Sequence, residues 1–459
     1  MPTNLVLLVL LALAVTYFVL GRRAILSQGQ RASGIRSMHS LPHYYGVWAG
    51  VAALLPALVL MVLWIGLEDS ILRALVASYF PAERPENFIE DVFFTQIKNV
   101  AQGNVVGTPP EWVMQAAGAW AGFERSSQNL MSAAVLGTCA VLGFFAYKQV
   151  GLEFRARNAV ENVIMAVLVA CSIVAILTTV GIVFSVLFES IKFFGMVSPM
   201  EFFFGLDWIP KANFGENADS GESAYGAIPL FAGTALISAI ALIVAVPTGL
   251  FSAIFLSEYA GPRLRGIVKP LMEILAGIPT VVYGFFAALT VAPLFKDLFA
   301  SVGMSASSES ALAAGVVMGV MIIPFVSSLS DDVINAVPQS LRDAAYGLGS
   351  TKSEAIRQVI LPAALPGIVG AILLAVSRAV GETMIVVMAA GLAANLTANP
   401  LEAVTTVTSQ IVTILKGDQS FNSPMTLSAF ALALTLITVT LALNVLAIRI
   451  VKKYREQYD

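Results

Sequence analysis

Charge-free apolar runs recur along this chain, and each is close to the 20 or so residues that a helix needs to cross a hydrocarbon core about 30 Å thick. Nine lie near 4–20, 46–67, 129–147, 162–188, 229–256, 271–295, 311–330, 364–394 and 426–448. The pattern predicts an all-α polytopic membrane protein with about nine transmembrane helices. Several runs exceed 25 residues, which predicts tilt or partly interfacial ends. The first run lacks a basic start and a small-residue cleavage site, so it reads as a retained anchor rather than a signal peptide.

The punctuation between runs divides the chain. Residues 1–160 hold three predicted spans and a mixed polar segment at about 68–128, where Pro81, Pro85, Pro109 and Pro110 argue against one long helix. Residues 161–459 hold six spans with short connections. Composition agrees, since 58% of the 459 residues are hydrophobic and 12% charged, against roughly 25% charged in soluble domains. A net charge of −3 and two cysteines exclude a basic nucleic-acid binder and a disulfide-stapled secreted domain. Cys139 and Cys171 fall within spans and read as small packed apolar groups.

Charge position is more informative than net charge. Cytoplasmic segments carry the excess of Lys and Arg. With the N-terminus outside, seventeen basic residues fall in inner segments, among them Arg22, Arg36, Arg155, Arg265, Lys269, Arg342 and Arg455. Eight fall outside, including Arg73, Arg84, Lys211 and Lys416. The expected orientation is N-out and C-in.

The inner segment 331–362, DDVINAVPQSLRDAAYGLGSTKSEAIRQVILP, is too polar to span yet carries helical signals. Pro338 suits a first helical position, and Leu341, Ala344 and Ala345 share an i, i+3, i+4 face. Gly347 and Gly349 then break the helix. Thr351 with Glu354 reads as a capping box opening a second helix with apolar Ala355, Ile356, Val359 and Ile360, closed by Leu361-Pro362. Two short helices around a glycine turn make a ledge suited to docking in a groove of a soluble partner. The run Gly347 to Ser353 only superficially resembles a phosphate-binding loop, because Thr351 precedes Lys352 and no strand precedes the turn. No nucleotide, cofactor or metal site is expected; His39 and His43 straddle Pro42 and give no ligand set.

In the eighth run, AVSRAVGETMIVVMAAG, Arg378 and Glu382 are the two charges with no membrane-boundary position. Each costs roughly 2.5–3.5 kcal/mol at a helix centre on insertion scales, so such groups face a bundle interior or a watery cavity. Their i, i+4 spacing places them on one helix face, where they either pair to fix packing or serve an anion route through the Arg378 guanidinium. Gly315 and Gly319 form a GxxxG pair that predicts close helix packing. Pro247, Pro279 and Pro324 predict kinks within spans.

Two stretches resemble a known family. Asp343-Ala344-Ala345, Gly349, Val359 and Leu361-Pro362 are spaced like the EAA coupling motif of ABC importer permeases, with Asp for Glu and Val for Ile. Ser377-Arg378-Ala379-Val380-Gly381-Glu382-Thr383-Met384 is similar to the Arg-Ala-x-Gly-Glu-Thr signature of phosphate-specific importer permeases, with the Met closer to the PstC type than to PstA. AVPTGLFSAIFLSEYA and KPLMEILAGIPTVVYGFF extend the likeness over about 230–392. The resemblance implies a type I ABC importer permease core in 161–459, preceded by an extension, 1–160, to which nothing transfers. It implies that Asp343, Ala344, Ala345, Gly349, Leu361 and Pro362 couple to a separate ATPase, and that Ser377, Arg378, Glu382 and Thr383 line the route.

Taken with that resemblance, the reading is a subunit of an ATP-driven phosphate importer in a bacterial inner membrane, embedded in lipid and without a nucleic-acid partner. Its expected partners are a PstA-like permease, two ATP-binding subunits and an extracytoplasmic phosphate-binding protein that carries most of the selectivity. The rivals are a permease for sulfate or molybdate, a secondary transporter using Arg378 and Glu382 as an ion relay, and a signalling role coexisting with transport. The relay would come with inverted repeats, which the sequence does not show.

Overall fold

The computed structural model describes residues 3–31, 38–80, 90–104, 109–210, 224–417 and 423–454. Arg36, Pro81, Arg84, Pro85, Lys211 and Arg455, which enter the charge and proline arguments, lie outside them. The described residues are overwhelmingly helical, and nine of their helices are long and apolar enough to cross a membrane. The chain forms two compact units, Met1–Ile176 and Leu177–Asp459.

The first unit is built on α1 (Thr3–Arg31), α2 (Pro42–Val76), α3 (Glu90–Ala101) and α4 (Glu111–Gln149). Each long helix turns one stripe inward. Val6 and Leu10 of α1 meet Ala53, Ala57 and Met61 of α2 and Met131, Val135 and Cys139 of α4. Small residues on α2 permit close approach, so that a Cβ on Gly50 would lie 3.2 Å from the Ala14 carbonyl. The described residues of the 68–128 segment, expected as a loop, are largely helical. α2 and α4 continue through it, and Leu72, Val76, Phe94, Ile97, Val113 and Trp120 form their own buried cluster with α3. α5 (Ala156–Met196) carries the boundary between units. Cys171 on it is exposed, unlike buried Cys139, which corrects the expectation of a packed thiol.

The second unit continues through α6 (Pro199–Phe204), a two-residue antiparallel pair of β1 (Trp208–Ile209) and β2 (Ala224–Tyr225), and α7 (Ile228–Ile254). α8 (Pro262–Gly277), α9 (Thr280–Phe286), α10 (Ala292–Ser301) and α11 (Ala311–Asn335) follow. α7 and α11 form the centre. A Cβ on Gly319 would lie 2.8 Å from the Ala241 carbonyl, and one on Gly315 3.2 Å from the Ile237 carbonyl, so the GxxxG pair is a close-packing surface.

The remaining helices are α12 (Gln339–Gly347), α13 (Lys352–Ala355), α14 (Leu361–Val380), α15 (Met384–Ala389), α16 (Val407–Gly417) and α17 (Pro424–Tyr454). Two expected spans are corrected here. The run at 271–295 is broken at Ile278-Pro279, because the proline ring drives Ile278 to an extended conformation (φ −66°, ψ 130°) and α9 starts afresh after it. Pro279 therefore caps a helix rather than kinking one, whereas Pro247 and Pro324 do lie inside helices. The run at 364–394 ends as a helix at Val380, followed by a non-helical break and the short α15.

Candidate functional site

The segment 331–362 folds as two helices around a glycine turn. Pro338 takes the N-cap position of α12 rather than its first turn. Leu341 and Ala345 turn inward while Ala344 and Asp343 stay exposed, so the expected apolar face is narrower than its spacing suggested. The chain reverses at Gly349, whose φ of +87° is left-handed and favours glycine. Leu348, at the tip of the turn, is 89% exposed. Both halves of the capping box form: the Thr351 hydroxyl accepts from the Glu354 N–H, and the Glu354 carboxylate accepts from the Thr351 N–H at 2.8 Å.

Leu361 and Pro362 do not close that second helix. It runs on through one wide turn, Ile356–Ile360, directly into α14. The wide turn explains how. A proline ring clashes with the carbonyl four residues back and supplies no N–H, and widening the preceding turn by one residue relieves that clash. The ledge is thus one piece with the span that carries Arg378. Ile334, Val337, Ile356, Ile360, Ala364 and Ile368 form the apolar cluster that seats it.

Two sets of charges in this region escaped sequence reasoning. Arg342 of α12 pairs with Glu258, in the wide turn Phe255–Tyr259 that ends α7, and donates a second hydrogen bond to the Ile334 carbonyl at 2.7 Å. Asp331 of α11, 2% exposed, accepts from both Arg265 (3.0 and 3.1 Å) and Lys269 (2.8 Å) of α8, and from the Asn335 amide at 2.9 Å. The hydrogen bond to Asp331 raises the Lys269 ammonium above the usual lysine range, against a smaller desolvation effect. All these residues read as ordinary membrane-flanking charges. Glu258 and Arg342 are 84 residues apart, and no local spacing pairs them.

At the second stretch, Arg378 and Glu382 do not share a helical face. The helix stops between them. Arg378 is exposed near the end of α14, its guanidinium 5.6 Å from the centroid of Phe325 on α11. Glu382 lies in the break and accepts from the Met384 N–H at 3.2 Å, opening α15. The expected i, i+4 pair is corrected accordingly, because Gly381 breaks the helix and the carboxylate caps the next one. The Ser377 hydroxyl donates to Asn444 of α17 at 2.7 Å, and that of Thr383 to the Gly381 carbonyl at 3.4 Å. Thr408 of α16 donates to the Glu382 carbonyl at 2.8 Å, pinning the break. Thr408 belongs to a buried polar run, Thr405 to Gln410, that sequence reasoning did not single out. Its signal was a TTVTSQ string too polar for its burial. Arg378 is thus an exposed cation beside a fixed helix break, and no carboxylate pairs with it among the described residues.

Comparison with known proteins follows the same division. A family described as the binding-protein-dependent transport system inner membrane component matches residues 245–456. A second, described as a phosphate ATP-binding cassette transporter, matches 6–178. A probable ABC transporter permease, YqgH of Bacillus subtilis, is 31% identical over 292 residues, covering 63% of this chain and 90% of that protein. The phosphate transport permease PstC of Haemophilus influenzae is 37% identical over 159 residues, 31% of this chain and 50% of the relative. PstC of Mesorhizobium japonicum is 34% identical over 180 residues, 35% and 55%. The chain thus spans about half the length of the PstC relatives it matches. A solved chain of the MetNI methionine ABC transporter in an inward-facing form aligns over 50% of this chain and 95% of its own, at 18% identity and a TM-score of 0.37. The chain belongs to the ABC transporter permeases and is similar to those named for phosphate transport.

Proposed function

We propose that this chain is the permease subunit of an ATP-driven phosphate importer in a bacterial inner membrane, with the N-terminus outside and the C-terminus inside. The phosphate relatives support the substrate, and Arg378 is the observation that carries it. A guanidinium stays charged at any physiological pH and presents a planar fork of donors that suits a tetrahedral oxyanion. Its exposure and its freedom from a carboxylate partner on its own helix suit a transient contact, since a tightly bound anion would leave slowly. Glu382, Thr383 and Ser377 shape the break beside it. The Phe325 ring steadies the guanidinium from the other side.

The 331–362 ledge is the docking surface for a separate ATP-binding subunit. Asp343, Ala344 and Gly349 lie on its exposed side with Leu348 at the tip, while Ala345 is buried and Leu361 packs against the cluster that seats it. ATP is hydrolysed in that partner. A PstA-like permease completes the membrane pair, and an extracytoplasmic binding protein delivers the anion and sets most of its selectivity. Closure of the ATPases pushes the ledge and turns the bundle from inward-facing to outward-facing.

The test is phosphate uptake into proteoliposomes holding the assembled complex. Arg378→Ala is expected to abolish uptake while the subunits still co-purify; persisting uptake sinks the pathway assignment. Sulfate and molybdate in the same assay separate the oxyanions. Gly349→Pro, which cannot adopt the positive φ of the turn, is expected to lose the ATPase on co-purification.

A further inference from the structure

α12 is otherwise lightly attached. Ala345 is its one buried residue, and Asp343, Ala344, Tyr346 and Gly347 are all exposed. Against that background the Arg342 side chain is 12% exposed and its partner Glu258 6%. Two ions are withdrawn from water together here, which is favourable only when geometry and further hydrogen bonds compensate each for its lost hydration. The guanidinium meets the requirement by forking. One terminal nitrogen holds Glu258 at the end of α7, and the other holds the Ile334 carbonyl in the last turn of α11. That carbonyl lies at a helix C-terminus, where it also accepts the Val337 N–H at 3.3 Å and where a cation is favoured. The Lys352 ammonium, 5.1 Å from the centroid of Tyr259, ties α13 to the same wide turn.

We infer that Arg342 is a positioning residue for transport: a strut that joins the ledge to the inner ends of α7 and α11 together, so that displacement of the ledge moves both helices as one. This rests on the docking role proposed above for the ledge. α7 and α11 are the pair locked by Gly315 and Gly319, so a push at their ends is carried into the packed centre rather than lost in side-chain motion. The same last turn of α11 carries Asp331, whose clamp on Arg265 and Lys269 brings α8 along. Lysine cannot replace the fork, because one ammonium on a flexible stem lacks the planar pair of donors. The wide turn at Phe255–Tyr259 has a role as well, since it presents Glu258 to α12 while closing α7 through the Ala260 N–H to Phe255 carbonyl bond at 2.8 Å.

The experiment measures phosphate imported per ATP hydrolysed by the reconstituted complex. Arg342→Met and Glu258→Gln are expected to keep the ATPase bound and hydrolysing while the ratio falls by about tenfold or more. Arg342→Lys should lower it less. The double reversal Arg342→Glu with Glu258→Arg should recover part of it, a rescue that general destabilisation would not produce. A wild-type ratio in Arg342→Met overturns the strut, and so does loss of ATPase binding in Arg342→Lys, which would make Arg342 a docking residue. If Arg342→Met does not accumulate in the membrane, Arg342→Lys and Glu258→Gln decide by the same ratio. A wild-type chain that binds no ATPase sinks the docking proposal instead, so the two failures are distinguishable.

Discussion

At the residue scale, the ledge is held both by neighbours in sequence, Thr351 with Glu354, and by a distant helix end, Arg342 with Glu258. Thr351 and Glu354 are three apart and form the capping box their spacing predicts. Gly349 takes the positive φ that a glycine between two helical stretches suggests. Gly319 does what a GxxxG pair should, and it yields a prediction. A side chain there meets the Ala241 carbonyl, backbone that cannot swing away. Overpacking of this kind costs about 1–3 kcal/mol, so Gly319→Val is expected to lower the unfolding midpoint in detergent, and an unchanged midpoint would refute the close approach. Asp331 shows the other side. Its three donors, Arg265, Lys269 and Asn335, come from α8 and from its own last turn, and nothing in the string DDVIN marks the first aspartate as buried and the second as exposed. Asp331→Asn removes the charge from hydrogen bonds worth roughly 1.5–3 kcal/mol each when charged. It should loosen α8, read as faster amide hydrogen exchange across 262–277.

At the scale of elements, apolar runs located the nine spanning-length helices of the described residues and misjudged where several stop. A hydropathy run records where lipid is tolerated, whereas a helix ends where its backbone bonds end. Three of the errors have one source. Pro279, Gly381 and Pro362 all sit beside apolar sequence, and only the first two interrupt a helix. Pro362 does not, because the wide turn before it accommodates the ring, an option with no signature in composition. The continuity it permits has a functional reading: the second helix of the ledge forms the first turns of the span that carries Arg378. Removing the cap at the ledge end is expected to act locally. Thr351→Ala should cost about 1 kcal/mol, the usual value for losing such a cap, and should speed exchange at amides 352–355 without lowering the global unfolding midpoint. A drop in that midpoint would mean that the ledge unfolds together with the span.

At the scale of the whole molecule, two units with separate cores carry two separately recognised families, 6–178 and 245–456. The first unit is not a loose appendage. Its three long helices share a buried seam, its α3 region has a second cluster, and Tyr45, Val150 and Ala156 close a third around Ile25. The ledge, its Arg342 fork and the Arg378 break all lie within Leu177–Asp459 and draw every partner described here from that unit. If the machinery is complete there, removal of the first unit should leave it working. A chain beginning at Ala156, which keeps all of α5, is expected to assemble with the ATP-binding subunits and to retain phosphate uptake per ATP hydrolysed within about twofold, a change of under 0.5 kcal/mol in coupling. Normal assembly with uptake lost would place part of the transport function in residues 1–155. The Arg342→Met variant in the same shortened chain should then show whether that contribution acts through the strut or apart from it, since two independent defects multiply and a shared one does not.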